Sequence, residues 1–162
     1  MTLETRVMTA ADWPAVAAIY QQGISAGTAT FETHVPTWEV WDANHLAACR
    51  LVLTRRERVV AWAALSAYSG RYVYRGVAGI SIYVAEDARG IGAGRTVLQA
   101  LVEASEQAGF WTLQAGIFES NLASQRLHAQ AGFRVVGMRE RLGQLGGQWH
   151  NIVLMERRSS VV

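Results

Sequence analysis

Between Arg89 and Gly94 the chain reads Arg-Gly-Ile-Gly-Ala-Gly. The stretch follows a strand-like run that ends at Tyr83 and Val84, and it leads into a helical pattern through Val97, Leu98, Leu101 and Val102. A strand that turns through glycines into a helix N-terminus suits an anion. The first N–H groups of the helix have no helical partner, and the macrodipole places about half a positive charge there. Glycines also remove the Cβ atoms that would hold a phosphate away from the backbone. A tight turn that binds nothing has the same outline. A P-loop would need glycine at position 89 and a lysine near Gly94, but Arg89 and Arg95 stand there. A dinucleotide fingerprint fits Gly90 and Gly92 and then meets Arg95 where its third glycine belongs. Both nucleotide readings fail at defined positions.

A second group of chemistry-bearing residues follows in Asn121, Ser124 and His128. Asn121 and His128 are about two helical turns apart, so both can address one groove. A histidine changes charge near neutral pH and can give or take a proton. It can equally be a satisfied ring buried between Leu127 and Phe133. Asn121 is either a ligand contact or a helix cap, and Ser124 either a helper in the same groove or an exposed helical serine. His34, His45 and His150 are scattered, with no metal-ligand spacing; His150 is the one expected at a substrate mouth.

These residues need a scaffold. The chain has 162 residues, 51% hydrophobic and 17% charged, which suits one domain, 1–162, with a real core. The pattern predicts strands at Arg6–Met8, Leu51–Thr54, Val59–Ser66, Val77–Val84, Thr112–Phe118, Phe133–Arg139 and Trp149–Glu156. Helices are expected after Thr9, from Pro36 through Cys49, over Gly92–Ala108 and over Ala123–Ala131. The order is mixed α/β: an antiparallel first half and a β-α-β-α-β second half. The longest apolar run, Val59–Leu65, is far short of the roughly 20 residues that cross a bilayer. Met1–Arg6 has no signal-peptide pattern. Cys49 alone makes no internal disulfide, and a net charge of +2 does not argue for nucleic acid. The expectation is a cytoplasmic protein with a small-molecule partner, and no nucleic acid or membrane partner.

The pattern Arg89-x-x-Gly92-x-Gly94 resembles the acetyl-CoA pyrophosphate loop of the GNAT superfamily of N-acetyltransferases. The run Asn121, Ser124, His128, Gly132, Phe133 resembles that superfamily's second cofactor motif. A narrower resemblance, to the phosphinothricin and methionine sulfoximine acetyltransferase subgroup, spans nearly the whole chain. It is carried by "GTATFET" (27–33), "SIYVAEDARGIGAG", "SNLASQRLHAQAGF" and "QWHNIVLMERR". The resemblance implies an α/β (α+β) GNAT fold: a mixed, mostly antiparallel sheet of about seven strands with helices on both faces. It also implies acetyl-CoA as cofactor, a small amino-acid-like amine as acceptor and a homodimer.

On that resemblance the N–H groups of Gly90, Ile91, Gly92, Ala93, Gly94 and Arg95 hold the pyrophosphate. The side chain of Arg89 either reaches the phosphates or pairs with Glu86 or Asp87. Tyr83, Val84 and Ala85 pair with the pantetheine arm, with a backbone N–H there, Val84 by choice, facing the thioester oxygen. Asn121 bonds the arm from the other side, Ser124 helps near the sulfur, and His128 moves the proton. Phe31 and Glu32, after the first helix, and Arg71, Tyr74 and Arg75, before the central strand, are the acceptor contacts. The last three are otherwise exposed loop residues. One position departs from the subgroup. Its glutamate two residues before the serine, taken as the base, is replaced here by Gly79. Glu32, His128 or a water must then serve, or the amine must arrive neutral. Loss of that carboxylate also keeps a non-catalytic acetyl-CoA-binding domain, or an acyltransferase for another amine, as alternatives.

Overall fold

The computed structural model describes residues 2–162. Its strands are β1 (Leu3–Val7), β2 (Leu51–Arg55), β3 (Arg58–Ala67), β4 (Val77–Val84), β5 (Thr112–Phe118), β6 (Arg134–Leu145) and β7 (Gln148–Arg158). Its helices are α1 (Trp13–Ala26), α2 (Trp38–Asn44), α3 (Ala93–Gln107) and α4 (Leu122–Gln130). One seven-stranded sheet runs in the order β1-β2-β3-β4-β5-β7-β6. Its pairs are antiparallel except β4 with β5. The α/β class, the mostly antiparallel sheet and its strand number are as the sequence leads one to expect.

Two glycines show how the layers meet. A Cβ on Gly23 of α1 would stand 2.6 Å from the Tyr83 ring, and a Cβ on Gly94 of α3 would stand 3.6 Å from Val84 Cγ2. Adjacent strand residues point to opposite faces, so α1 and α3 cover opposite sides of β4. The core between sheet and α3 is built from Val97, Leu98, Leu101 and Val102 against β2, β3 and β4, all fully buried or nearly so. On the other face an aromatic cluster fills the space under α1 and α2. Trp62 stacks on Tyr83 at 4.9 Å, and Trp41 meets Trp62 edge-on at 5.6 Å.

Local departures from the expected elements have local causes. The second helix stops at Asn44 and does not reach Cys49. The chain turns extended at His45, and the Leu46 N–H pairs with the Leu65 carbonyl of β3 at 2.8 Å. Cys49 itself has φ +64, outside any helix. The first strand lies earlier than Arg6–Met8, because it is a solvated edge whose residues are mostly exposed and show no alternation. β6 and β7 run longer than expected and join through Gly146-Gly147, both at positive φ, a turn that suits a twisted hairpin. In the second half β7 inserts between β5 and β6, so only one parallel pair forms.

Candidate active site

The parallel pairing of β4 with β5 covers only Val77–Gly79 against Thr112–Gln114. Beyond Gly79 the two strands part, while β4 stays paired with β3 as far as Val84. Backbone groups alternate sides along a strand. The Ala85 N–H donates to the Val60 carbonyl at 2.8 Å, so the N–H and C=O of residues 81 and 83 also face β3. Those of Ile82 and Val84 face the opening. Of the three backbone positions expected to meet a ligand, only Val84 presents its groups there. Ala85 is spent on Val60, Tyr83 reaches the opening with its side chain, and Ile82 is the position that sequence reasoning missed.

The glycine turn lies at the end of this open edge. Gly90 and Gly92 have φ +76 and +85, with nothing within 4 Å of a would-be Cβ. Glycine is therefore needed there for backbone conformation, not for room. Gly92 caps α3 without any side-chain cap, and among the described residues no partner accepts a backbone N–H of Gly90 to Arg95. A half-exposed Ile91 is at the tip of the turn, and Ala93 is buried at the helix start. Arg89 pairs with neither neighbour: Asp87 is bound by Arg58 at 2.6 Å, and Glu86 makes no ion pair among the described residues.

α4 supplies the other wall. Asn121 caps it, its Oδ1 accepting the Ser124 N–H at 3.1 Å while its Nδ2 donates to the Thr28 carbonyl at 3.3 Å. The cap reading is therefore realised, and the same side chain ties the loop after α1 to α4. His128 is 5% exposed and meets Phe133 edge-on at 5.2 Å. Its Nδ1 lies 2.7 Å from the Ser124 carbonyl, which can only accept, so Nδ1 carries the hydrogen and Nε2 the lone pair. Burial lowers the His128 pKa below the ordinary 6.5, against the smaller opposing effect of that carbonyl. The ring is thus neutral at neutral pH, and a base before it is an acid. The Ser124 hydroxyl stands 3.4 Å from Nδ1, at the limit of a hydrogen bond.

Between these walls lies a cavity of about 380 Å³. It is lined by β4 (Ile80–Tyr83), β5 (Ala115–Phe118), Asn121, Ser124 and His128 of the α4 segment, the loop Thr28–Phe31, and Leu142 and Ile152. Phe31 stacks on Phe118 at 4.7 Å, and His150 packs on Phe118 at 4.9 Å. Glu32 is exposed next to this lining, and after burial its charge is a further cause of the raised Tyr20 pKa. Burial is also the main cause of the raised Tyr83 pKa, so both phenols stay protonated. Arg71, Tyr74 and Arg75 lie elsewhere, at the opposite end of β4. The Arg71 guanidinium stands over Tyr74 at 5.6 Å, and that of Arg75 over Tyr72 and Trp111 at 4.2 and 5.2 Å. Of the expected acceptor contacts, one chain brings only Phe31 into the cavity wall. Gly79 has only the Ser66 carbonyl within 4.0 Å of a would-be Cβ, so it carries no side-chain base and has room for one. Phe118 and Leu142 belong to no motif, and Ile152 lies in the QWHNIVLMERR run with no role of its own. They are ordinary apolar strand residues until the sheet opens beside them. Among the described residues no group of three His, Cys, Asp or Glu is placed to hold a metal ion, and no helix is long and apolar enough to cross a membrane.

A sheet that parts at one strand pair, with an uncapped glycine turn beyond it, agrees with the resemblance to N-acetyltransferases carried by Arg89 to Gly94. The model of the Acetyltransferase (GNAT) family matches residues 13–133, and the chain belongs to that family. It is 35% identical to a phosphinothricin N-acetyltransferase of Alcaligenes faecalis, over 94% of this chain and 80% of that one. The solved structure of a phosphinothricin acetyltransferase from Sinorhizobium meliloti in complex with acetyl-CoA matches with a TM-score of 0.88. The identity is 29%, over 98% of this chain and 89% of that one. A ribosomal-protein-alanine N-acetyltransferase from Brucella melitensis matches equally well, with a TM-score of 0.88 and 31% identity over 96% and 99% of the two chains. The protein is an acetyl-CoA-dependent acyltransferase. The acceptors named for these relatives differ, so similarity leaves the acceptor to the site itself.

Proposed function

We propose that the protein acetylates the amino group of a small amino-acid-like compound of the phosphinothricin or methionine sulfoximine type. The observation that carries this reading is the cavity. It brings the open edge of β4, His128 and Phe31 around one space of about 380 Å³, fit for a small molecule. Acetyl-CoA supplies the activated acetyl group. The N–H groups of Gly90 to Arg95 hold its pyrophosphate, with Arg89 free to approach it, and the edge at Ile82 and Val84 pairs with its arm. The Val84 N–H is the donor aimed at the thioester oxygen, a role worth roughly 10²–10³ in rate. His128 Nε2 takes the proton from the acceptor amine and returns it to the departing thiolate, with Ser124 beside it. Because Gly79 offers no carboxylate, His128 does both tasks. Phe31 and Glu32 meet the acceptor from one side. Arg71, Tyr74 and Arg75 stand outside the cavity of one chain. Their place in the acceptor site requires that loop to move or a partner copy to supply it, in keeping with a cytoplasmic homodimer of a single-domain chain.

The test is thiol release from acetyl-CoA with phosphinothricin, methionine sulfone, other amino acids, simple amines and a short peptide with a free N-terminus. Turnover of the amino-acid analogues is the expected result. Turnover of the peptide alone would replace a small acceptor with a protein N-terminus.

A further inference from the structure

The Trp149-His150-Asn151 element of β7 has no part in the chemistry above, yet Asn151 organises one lip of the cavity. Arg139 pairs with Ile152 and Gly143 with His150, so three residues of β6 stand opposite Asn151 alone. At the centre of this bulge Arg141 takes φ +47, a left-handed conformation that side chains disfavour. Asn151 fixes it. Its Oδ1 accepts the Arg141 N–H at 2.8 Å, and its Nδ2 donates to Glu119 Oε2 at 2.9 Å. The bulge turns Leu142, which is 50% exposed, onto the cavity. It also brings Gly143 under Phe31, where a Cβ would stand 3.0 Å from the ring. Bulges commonly re-aim a side chain beside a site.

We propose that this bulge is the size filter for the acceptor: Leu142 and Phe31 limit the length of its side chain, Gly143 leaves Phe31 its place, and Asn151 is the positioning residue. With Phe118 and Ile152 these residues make an apolar wall, so what they read is the length and bulk of the acceptor's side chain. The inference deepens the acetyl-transfer reading and rests on it.

The test uses the full chain, acetyl-CoA and α-amino acids of graded side-chain length. Asn151→Ala is expected to raise the acceptor KM roughly tenfold, since small misplacements near a site are costly, with the acetyl-CoA KM changed less than about twofold. Gly143→Ala must displace Phe31 and is expected to reduce kcat/KM most for the longest acceptors; Leu142→Ala is expected to favour them. Asn151→Asp keeps an acceptor for Arg141 but sets a second carboxylate against Glu119. It should be impaired, and Glu119→Gln in the same chain should rescue it. An unchanged ranking of chain lengths in Asn151→Ala and Gly143→Ala overturns the proposal. Amide exchange reads the bulge without turnover. Asn151→Ala must speed exchange at Arg141 and leave the start of α3 unchanged, and an unchanged Arg141 rate also overturns it. Failure of the parent chain to acetylate any amine, with the exchange result as expected, counts against the acetyl-transfer reading alone.

Discussion

The two halves of the cavity are made of different material. The half around β4 and α3 is backbone: N–H groups at Gly90 to Arg95, and peptide groups at Ile82 and Val84 left over where the sheet parts. The half around Phe31, Phe118, Leu142 and Ile152 is side chains, drawn from four separate segments. A backbone site depends on conformation, so it tolerates change in most side chains and fails when a glycine is lost. A side-chain site changes with each residue, so relatives can share the first half and differ in the second. The departure at Gly79 lies at the seam, on the last residue of β4 that still pairs with β5.

The sharpest way to break this contrast is at His128, the imidazole in the cavity lining. His128→Phe is expected to lower kcat by roughly 10²–10³, the usual range for losing acid–base help, with little change in acetyl-CoA affinity by calorimetry. An equal loss of affinity would make it a cofactor contact. Gly92→Val tests the backbone half. A β-branched residue at φ +85 is strained by about 1–3 kcal/mol, so acetyl-CoA should bind some ten- to a hundredfold more weakly; unchanged binding would remove the turn from the site.

The pH profile carries a smaller effect with a defined sign. The folded pKa of His128 is depressed below 6.5 by burial. Its unfolded form therefore takes up a proton first. Its contribution to stability is complete above 6.5 and is lost as pH falls through the folded value. Catalysis needs the neutral ring, so kcat/KM should fall on the acid side with an apparent pKa under 6.5, and His128→Phe should erase that limb. A limb that survives the substitution belongs to another group. Gly79→Glu then asks whether the missing carboxylate limits the rate. There is room for it, and an increase of up to about 10² would show that one histidine was doing two tasks poorly. The smallest effect is expected at Asn121. Asn121→Ala loses a helix cap worth about 1 kcal/mol, or a melting temperature lower by roughly 2–4 °C. It should raise the acceptor KM more than the acetyl-CoA KM, because the Thr28 tether is lost with it.

The same difference in material decides what the sequence discloses. Arg89 to Gly94 can be read without a structure, because glycine spacing and the change from strand to helix are local signals. The sheet order class and the long apolar strands β3, β4 and β5 are legible for the same reason. What cannot be read is where pairing stops. Nothing in Gly79 to Val84 says that β5 will leave, so the alternation that favours Ile82 and Val84 over Tyr83 and Ala85 appears only with the register. The strand expected to end at Arg139 continues to Leu145 because three bulged residues interrupt its period and then let it resume. Nor does the sequence say that Arg75, expected among the acceptor contacts, stands over Tyr72 and Trp111 in one chain.

The parting of β4 from β5 also bears on solubility. Unpaired strand edges normally lie at the rim of a sheet, where they invite other chains to add on and aggregate. Here a reactive edge lies inside the sheet. β5 closes its base, α3 and α4 stand on one side, and the tethered loop Thr28–Phe31 stands on the other. A foreign strand, flanked by side chains on both faces, has no way to lie along it, whereas a single unbranched chain does. The protein can thus keep hydrogen-bonding groups open for a ligand at every moment without offering them to its neighbours in a crowded solution.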